Sequence, residues 1–448
     1  MEPFTTRQGS EELRSGVVAE LRKLGSVQLA LKESAADLVL GGGGEVWVRG
    51  YSTLNPRAPR YPRNGKPVYG GFLSVELRDK QGETLWSYLV TPNTATDDIY
   101  GNLSKQISKQ VAKAVQQGFP KPSRPVAAPG HGTVELKGAG ATFPYPLYTK
   151  WFANYHRTNP DVELIYEPVG SEAGIRRLLA GEVDFGASDS PDAIHLLAPG
   201  QEDKFVLFPS AVGAVVPIMN LPGVSGDIDF TPAILVGIYL GKIKKWNDPA
   251  LRAANPKLHL PDLDITVIHR RDGSGTSYVW TDFLAQTSAE WKAKVGTGMN
   301  PAWPVGRSGV GNEGVATEVK EFGGAIGYVE FTYAVQNHLN FGKVRNQEGE
   351  FVGASLDSIA AAARRAVGPN GVMTASIVNA PGPGAYPISS FTWLVVPAHP
   401  AEPAKRRAMA AFLRWATGPG QRQAAALGYL ALPKEVVAKV EADIARLE

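Results

Sequence analysis

The chain has 448 residues, a formal charge of +3, 43% hydrophobic and 20% charged residues, and no cysteine. That length implies two or three domains, and the composition excludes a disordered or membrane-embedded body. The missing cysteine excludes disulfides, thiolate metal sites, a cysteine nucleophile and a lipid-modified cysteine anchor within the chain.

The opening MEPFTTRQGSEELR lacks the charged and then apolar stretches of a secretion signal, so the chain reads as cytosolic or as trimmed of its leader. No apolar run is long enough to cross a bilayer. Residues 1 to 125 carry 17 basic against 12 acidic side chains, an excess best read as scattered solvated charge. Leu13, Val17, Val18, Leu21 and Leu24 recur at helical spacing, and 28–31 and 36–40 look extended. Gly41 to Gly44 read as a turn before a strand over 45–51, and 71–78 with 84–90 as a hairpin across Asp79-Lys80-Gln81-Gly82. A closing helix carries Leu103, Ile107, Val111 and Val115 on one face. The order predicts a small α+β domain over 1–120, with helices packed on one sheet face. It loosely resembles the amino-terminal domain of TolB. The stretch KPSRPVAAPGHG, 121–132, is a Pro- and Gly-rich linker.

Beyond the linker, strands and helices alternate: strand 134–137, helix 146–156, strand 162–169, helix 172–180, strand 184–187. This pattern predicts parallel sheets covered by helices. Apolar 211–219 reads as a strand crossing between lobes and 385–396 as its return. One lobe would then comprise 133–212 and 385–448 and the other 213–384, with a ligand crevice at the carboxyl ends of the strands.

Four segments carry the chemistry. Arg270-Arg271-Asp272-Gly273-Ser274-Gly275-Thr276-Ser277 lies between a strand, 264–269, and a helix, 278–285. A small-residue turn entering a helix presents unpaired N–H groups at the positive end of its dipole, an anion cradle to which Ser274 and Thr276 add hydroxyl donors. Gly138-Ala139-Gly140-Ala141-Thr142-Phe143-Pro144 is a second such junction, with Thr142 placed to cap the following helix, and Pro168-Val169-Gly170-Ser171 is a third. The fourth, Val183 to Pro191, contains Asp189. A carboxylate repels an anion unless that anion keeps a proton for it to accept, so Asp189 would admit monohydrogen phosphate and reject sulfate. An Asx-turn or N-cap before Pro191 is the structural alternative for Asp189.

GAGATFP, GS before a helix, VDFGASD, YLGKIKKWND, RRDGSGTS and GAIGYVE occur in this order. Together they resemble the PstS family, the phosphate-binding proteins of phosphate ABC transporters, over about residues 134–448. The resemblance implies a two-lobed periplasmic-binding-protein-like fold of type II that holds inorganic phosphate without cofactor or metal and delivers it to membrane permease subunits. It implies hydroxyl and backbone donors from Thr142, Ser171, Ser274 and Thr276, N–H groups from Phe143 and Gly275, Asp189 as proton acceptor and Arg270 as the charged donor. Asp272 would pair with Arg270 and hold its planar fork. Arg271 stands where the family carries a small residue, and Glu172 would weaken anion affinity if it turned inward. A periplasmic or envelope location and a monomer follow from the same resemblance.

Other features carry less. Tyr239 to Trp246 could be a basic-aromatic nucleic-acid patch, but a helix end with a buried Trp and solvated lysines is favoured, so no nucleic-acid partner is expected. Gly41 to Gly44 lack the Lys-Ser/Thr of a nucleotide loop, and the seven histidines show no paired spacing. His269 should alternate away from Arg270 on its strand. Two rival functions remain: a phosphatase, which lacks a visible nucleophile and base, and an envelope phosphate sensor or scaffold working through the first domain.

Overall fold

The computed structural model describes residues 1–25, 27–30, 36–52, 66–92, 98–119, 133–224, 226–364 and 376–447. The expected linker, 121–132, and Leu31 lie outside the described residues.

The first helix, Ser10–Leu24, buries Leu13, Val17 and Leu21 and stops at Gly25, whose φ of 64° is the left-handed geometry that glycine adopts at low cost. Leu24, in its last turn, is exposed. Three antiparallel strands follow, β1 (Val39–Ser52), β2 (Lys66–Arg78) and β3 (Thr84–Val90), and then the helix Ile99–Gln117, capped by Asp98. Both helices pack on one sheet face, where Leu73, Val75 and Leu77 of β2 meet Leu13, Val17, Leu103, Ile107 and Val111. The alternate residues of β2 face the rest of the molecule: Phe72 joins the main core and Ser74 and Glu76 bond to it.

Gly41 to Gly44 are not a turn; they lie in the middle of β1, paired with Ser74 to Glu76 and neighbours in β2. Glycine is needed there for proximity. The N-terminal segment lies against this strand, Thr5 bridging Gly43 and Ser10 Oγ donating to Gly44 O at 2.6 Å. A Cβ on Gly44 would stand 2.6 Å from Leu13 Cδ1 and 2.8 Å from Phe72 O.

The larger body is built on β4 (Val134–Gly140), β5 (Val162–Glu167), β6 (Phe185–Ser188), β7 (Phe205–Met219), β8 (Asp229–Phe230), β9 (Thr266–Arg270), β10 (Arg307–Gly309), β11 (Ala325–Glu330), β12 (Asn340–Phe341), β13 (Lys343–Arg345), β14 (Phe351–Val352) and β15 (Ser389–Pro397). Among the described residues nine of these form one continuous sheet in the order β10-β9-β11-β7-β15-β6-β4-β5, with β12 also on β7. Parallel pairing holds within each flank, β5-β4-β6 and β10-β9-β11. The crossing strands are antiparallel to their neighbours, a departure from the all-parallel expectation: β7 pairs with β15 from Phe205 to Ala214 and with β11 from Val215 to Met219. One strand thus belongs to two lobes, one around β4 to β6 and one around β9 to β11. Its burial is nearly complete beyond Phe208, which explains an apolar run without alternation. The fold is a two-lobed, periplasmic-binding-protein-like α/β architecture preceded by a small α+β unit.

Candidate functional site

The crevice between the lobes is lined by loops at the carboxyl ends of β4, β5, β6 and β9, each of which runs within four residues into a helix. The helix Gly275–Thr287 starts three residues earlier than its periodicity predicts, because Ser274 caps it: Ser274 Oγ accepts from Ser277 N at 3.1 Å. The helix Ser171–Leu179 starts at Ser171 itself. The helix Tyr145–Thr158 begins after Pro144 with no side-chain cap, so Thr142 does not perform the capping expected of it.

The structure brings the predicted residues together from both lobes. Ser171 and Thr276 are fully buried, and Asp189, Arg270 and Thr142 are nearly so. Ser171 Oγ, of the first lobe, accepts from Gly275 N of the second at 3.0 Å and from Asp189 N at 3.4 Å. The Gly275 N–H, expected to face a ligand, is therefore engaged with Ser171. A Cβ on Gly275 would lie 2.5 Å from Ser171 Oγ and 2.6 Å from Asp189 Oδ2, so only glycine permits this approach. The Phe143 N–H has no protein acceptor among the described residues, while its carbonyl accepts from Tyr429 OH at 2.7 Å.

Asp189 makes no Asx-turn; Ser188 Oγ holds that turn by accepting from Ser190 N at 3.0 Å. Asp189 Oδ1 accepts from Thr392 Oγ1 at 2.8 Å, and Oδ2 is buried with no hydrogen-bond partner among the described residues. Burial pushes its pKa up to about 7, against the Thr392 bond, the Arg270 charge and the Thr276 hydroxyl. An orphaned acceptor in a dry site carries a desolvation cost unless a proton comes to it.

Arg270 is buried and Arg271 exposed, so only Arg270 has access to the crevice. Both Arg270 Nε and Nη2 donate to the Asp272 carboxylate, which also accepts from Gly311 N at 2.9 Å. Burial alone would raise the Asp272 pKa; the Arg270 bond and charge and the Gly311 N–H instead hold it below the usual carboxylate range. His269 turns away and stacks on Trp303 at 5.0 Å. Glu172 bonds Arg176 at 2.7 Å and lies over Gly273, where an added Cβ would stand 2.2 Å from its Oε2. Trp246 is buried with its Nε1 on Gly324 O at 2.9 Å, while Lys242 and Lys245 pair with Glu290 and Asp262 at the surface.

Sequence reasoning passed over Thr392 and Asn312. Asn312 is fully buried and its amide reaches Thr142 Oγ1 at 2.9 Å and Thr276 Oγ1 at 3.4 Å. A signal existed: Ser308-Gly309-Val310-Gly311-Asn312 is another small-residue passage from a strand into a helix, Gly311–Glu321. Thr392 lies inside β15 and gives no such cue.

With these contacts the four hydroxyls share one property. Thr142 Oγ1 accepts from Asn312 N and Nδ2, Ser171 Oγ from two backbone N–H groups, Thr276 Oγ1 from Arg270 Nη1 and Asn312 Nδ2, and Ser274 Oγ from Ser277 N. An oxygen whose lone pairs face N–H donors keeps its own O–H to give away. The crevice thus offers proton donors throughout, one guanidinium, and a single unfilled acceptor at Asp189.

A donor-lined crevice closed over by two α/β lobes that share their crossing strands defines a solute-binding protein. Residues 125–419 match the family described as "PBP superfamily domain". The chain is 42% identical to the phosphate-binding protein PstS of Xylella fastidiosa (strain Temecula1) over 321 residues, 71% of this chain and 87% of that protein. It is 40% identical to the PstS of Pasteurella multocida over 310 residues, 69% of this chain and 89% of that protein. The chain belongs to the PstS family. A solved structure of a high-affinity periplasmic phosphate-binding protein bound with phosphate at pH 8.5 shares 20% identity with a TM-score of 0.54, covering 69% of this chain and 93% of that one; that likeness concerns the fold. No helix among the described residues is long and apolar enough to cross a membrane.

Proposed function

We propose that this protein captures inorganic phosphate as the monohydrogen dianion between its lobes and delivers it to the membrane subunits of an ABC permease. The observation that carries this reading is the imbalance of the crevice: hydroxyls oriented as donors by the N–H groups behind them, and one buried carboxylate oxygen without a partner. Thr142, Ser171, Ser274 and Thr276 donate hydroxyl protons, the Phe143 N–H adds a backbone donor, and Gly275 lets the chain approach the anion. Arg270, held by Asp272, supplies the positive charge. Asp189 accepts the one proton the ligand retains, and sulfate is refused because it has none to give.

Capture and release are non-covalent, by hinge closure, and no residue here acts as a catalyst. The protein works as a monomer, and in the periplasm or at the envelope; membership of the PstS family supports the location. Calorimetry on thoroughly stripped protein should show heat with phosphate and arsenate and none with sulfate. Above pH 7, where Asp189 is ionised and can only accept, Asp189→Asn should admit sulfate, since an amide can donate in its place. Absence of heat with phosphate would end the functional reading; continued exclusion of sulfate by the variant would end only the role given to Asp189.

A further inference from the structure

Asn312 touches neither the charge nor the proton that the phosphate reading uses, yet it sits where both lobes meet. Its orientation is fixed: Glu330 N–H donates to Oδ1 at 3.0 Å, so the amide oxygen must face that backbone and Nδ2 must face the crevice. From there Nδ2 donates to Thr142 of one lobe and Thr276 of the other. We infer, resting on the phosphate reading, that Asn312 is a positioning residue which makes both threonines donors and engages them together only when the lobes are shut. Without it each hydroxyl is free to rotate and spend its proton on a neighbouring protein acceptor.

The test is a double-mutant cycle on phosphate affinity, built from Asn312→Ala and the pair Thr142→Val with Thr276→Val. Asn312→Ala should weaken binding roughly tenfold, the scale of one lost buried hydrogen bond. In the valine background the same change should cost almost nothing, because the groups it orients are gone. Asn312→Asp preserves volume and the Glu330 contact but demands protons from both hydroxyls, so it should weaken binding more than Asn312→Ala. Additive effects in the cycle, or an Asn312→Asp affinity equal to that of the parent, would overturn the proposal. A parent chain that fails to bind phosphate would instead refute the function itself.

A second inference rests on different contacts. The β1–β3 sheet is fastened to both lobes. Toward the first lobe, Ser74 Oγ donates to Ala426 O at 2.7 Å, Ser87 Oγ to Arg422 O at 2.6 Å, and Glu76 pairs with Lys150 at 3.1 Å. Toward the second, Arg49 bonds Asn340 at 2.7 Å and Asp227 at 2.9 Å, Trp47 stacks on His338 at 4.2 Å, and Tyr88 OH donates to Asp357 at 2.8 Å. The geometry points to the N-terminal unit as a strap across the hinge that restrains lobe opening. Small-angle scattering of the phosphate-stripped full chain tests this independently of ligand. Arg49→Ala with Tyr88→Phe should enlarge the radius of gyration while the parent stays compact, and Arg49→Gln, a milder change, should do so to a lesser extent. Superimposable profiles for the parent and both variants would overturn the strap.

Discussion

At the scale of single residues, the crevice depends on two carboxyls that the fold removes from water. Burial pushes Asp189 up to about 7 and Glu330 up to about 8. Glu330 lies at the end of β11, accepting from Thr332 N at 2.9 Å and lying 3.1 Å from Tyr429 OH, whose one proton goes to the Phe143 carbonyl at 2.7 Å. A folded-state pKa above the unfolded value means that the native protein prefers the protonated form. The contribution to stability is whole below about pH 4 and is lost as pH rises toward 7 for Asp189 and 8 for Glu330. Each group should cost about 1.4 kcal/mol per pH unit within its window. The melting temperature of stripped protein should therefore fall between pH 5 and pH 8, and Asp189→Asn and Glu330→Gln should each flatten the fall. A slope unchanged in both variants would show that neither carboxyl is held protonated by the fold. The anion motifs and the oddity of Asp189 were legible in the sequence because hydroxyls, glycines and a carboxylate declare their chemistry locally. Asn312 and Thr392 were not, since an amide or hydroxyl acquires a role only from what it faces across the crevice.

At the scale of elements, strand-to-helix junctions do the positioning. Most bring a small residue to the helix start, and at Gly275 the atoms of Ser171 and Asp189 lie inside the space a side chain would need. Gly275→Ala should leave the fold intact and weaken phosphate binding roughly ten- to hundredfold, matching about 1–3 kcal/mol of overpacking at the seam. Parent-like affinity would mean that the seam relaxes without cost. Element boundaries show where local signals stop. Helical periodicity placed the 278–285 segment correctly but missed its first turn, because Gly275-Thr276-Ser277 has no apolar face and its helicity comes from the Ser274 cap. The Gly41 to Gly44 run misled in the opposite sense. Four glycines signal a turn by their backbone freedom, whereas here they serve close contact with Thr5, Ser10 and Leu13, from a segment more than thirty residues away.

At the scale of the whole molecule, alternating strands and helices determined the α/β class, because a strand buried on both faces and an amphipathic helix have distinct residue periods; the two lobes followed from the apolar crossing segments and the family motifs. The sequence likewise determined which loops could hold an anion, through residue type and position before a helix. Three things were decided only by tertiary structure. The antiparallel course of β7 and β15 depends on pairing between segments about 180 residues apart. The burial of Arg270 and the exposure of Arg271 depend on which face of β9 meets the other lobe. The docking of Phe72, Ser74 and Ser87 against the larger body depends on the second face of a sheet whose first face carries the two helices. In each case the deciding energy comes from groups distant in sequence, whose desolvation and hydrogen bonding are fixed only after the chain has folded around them.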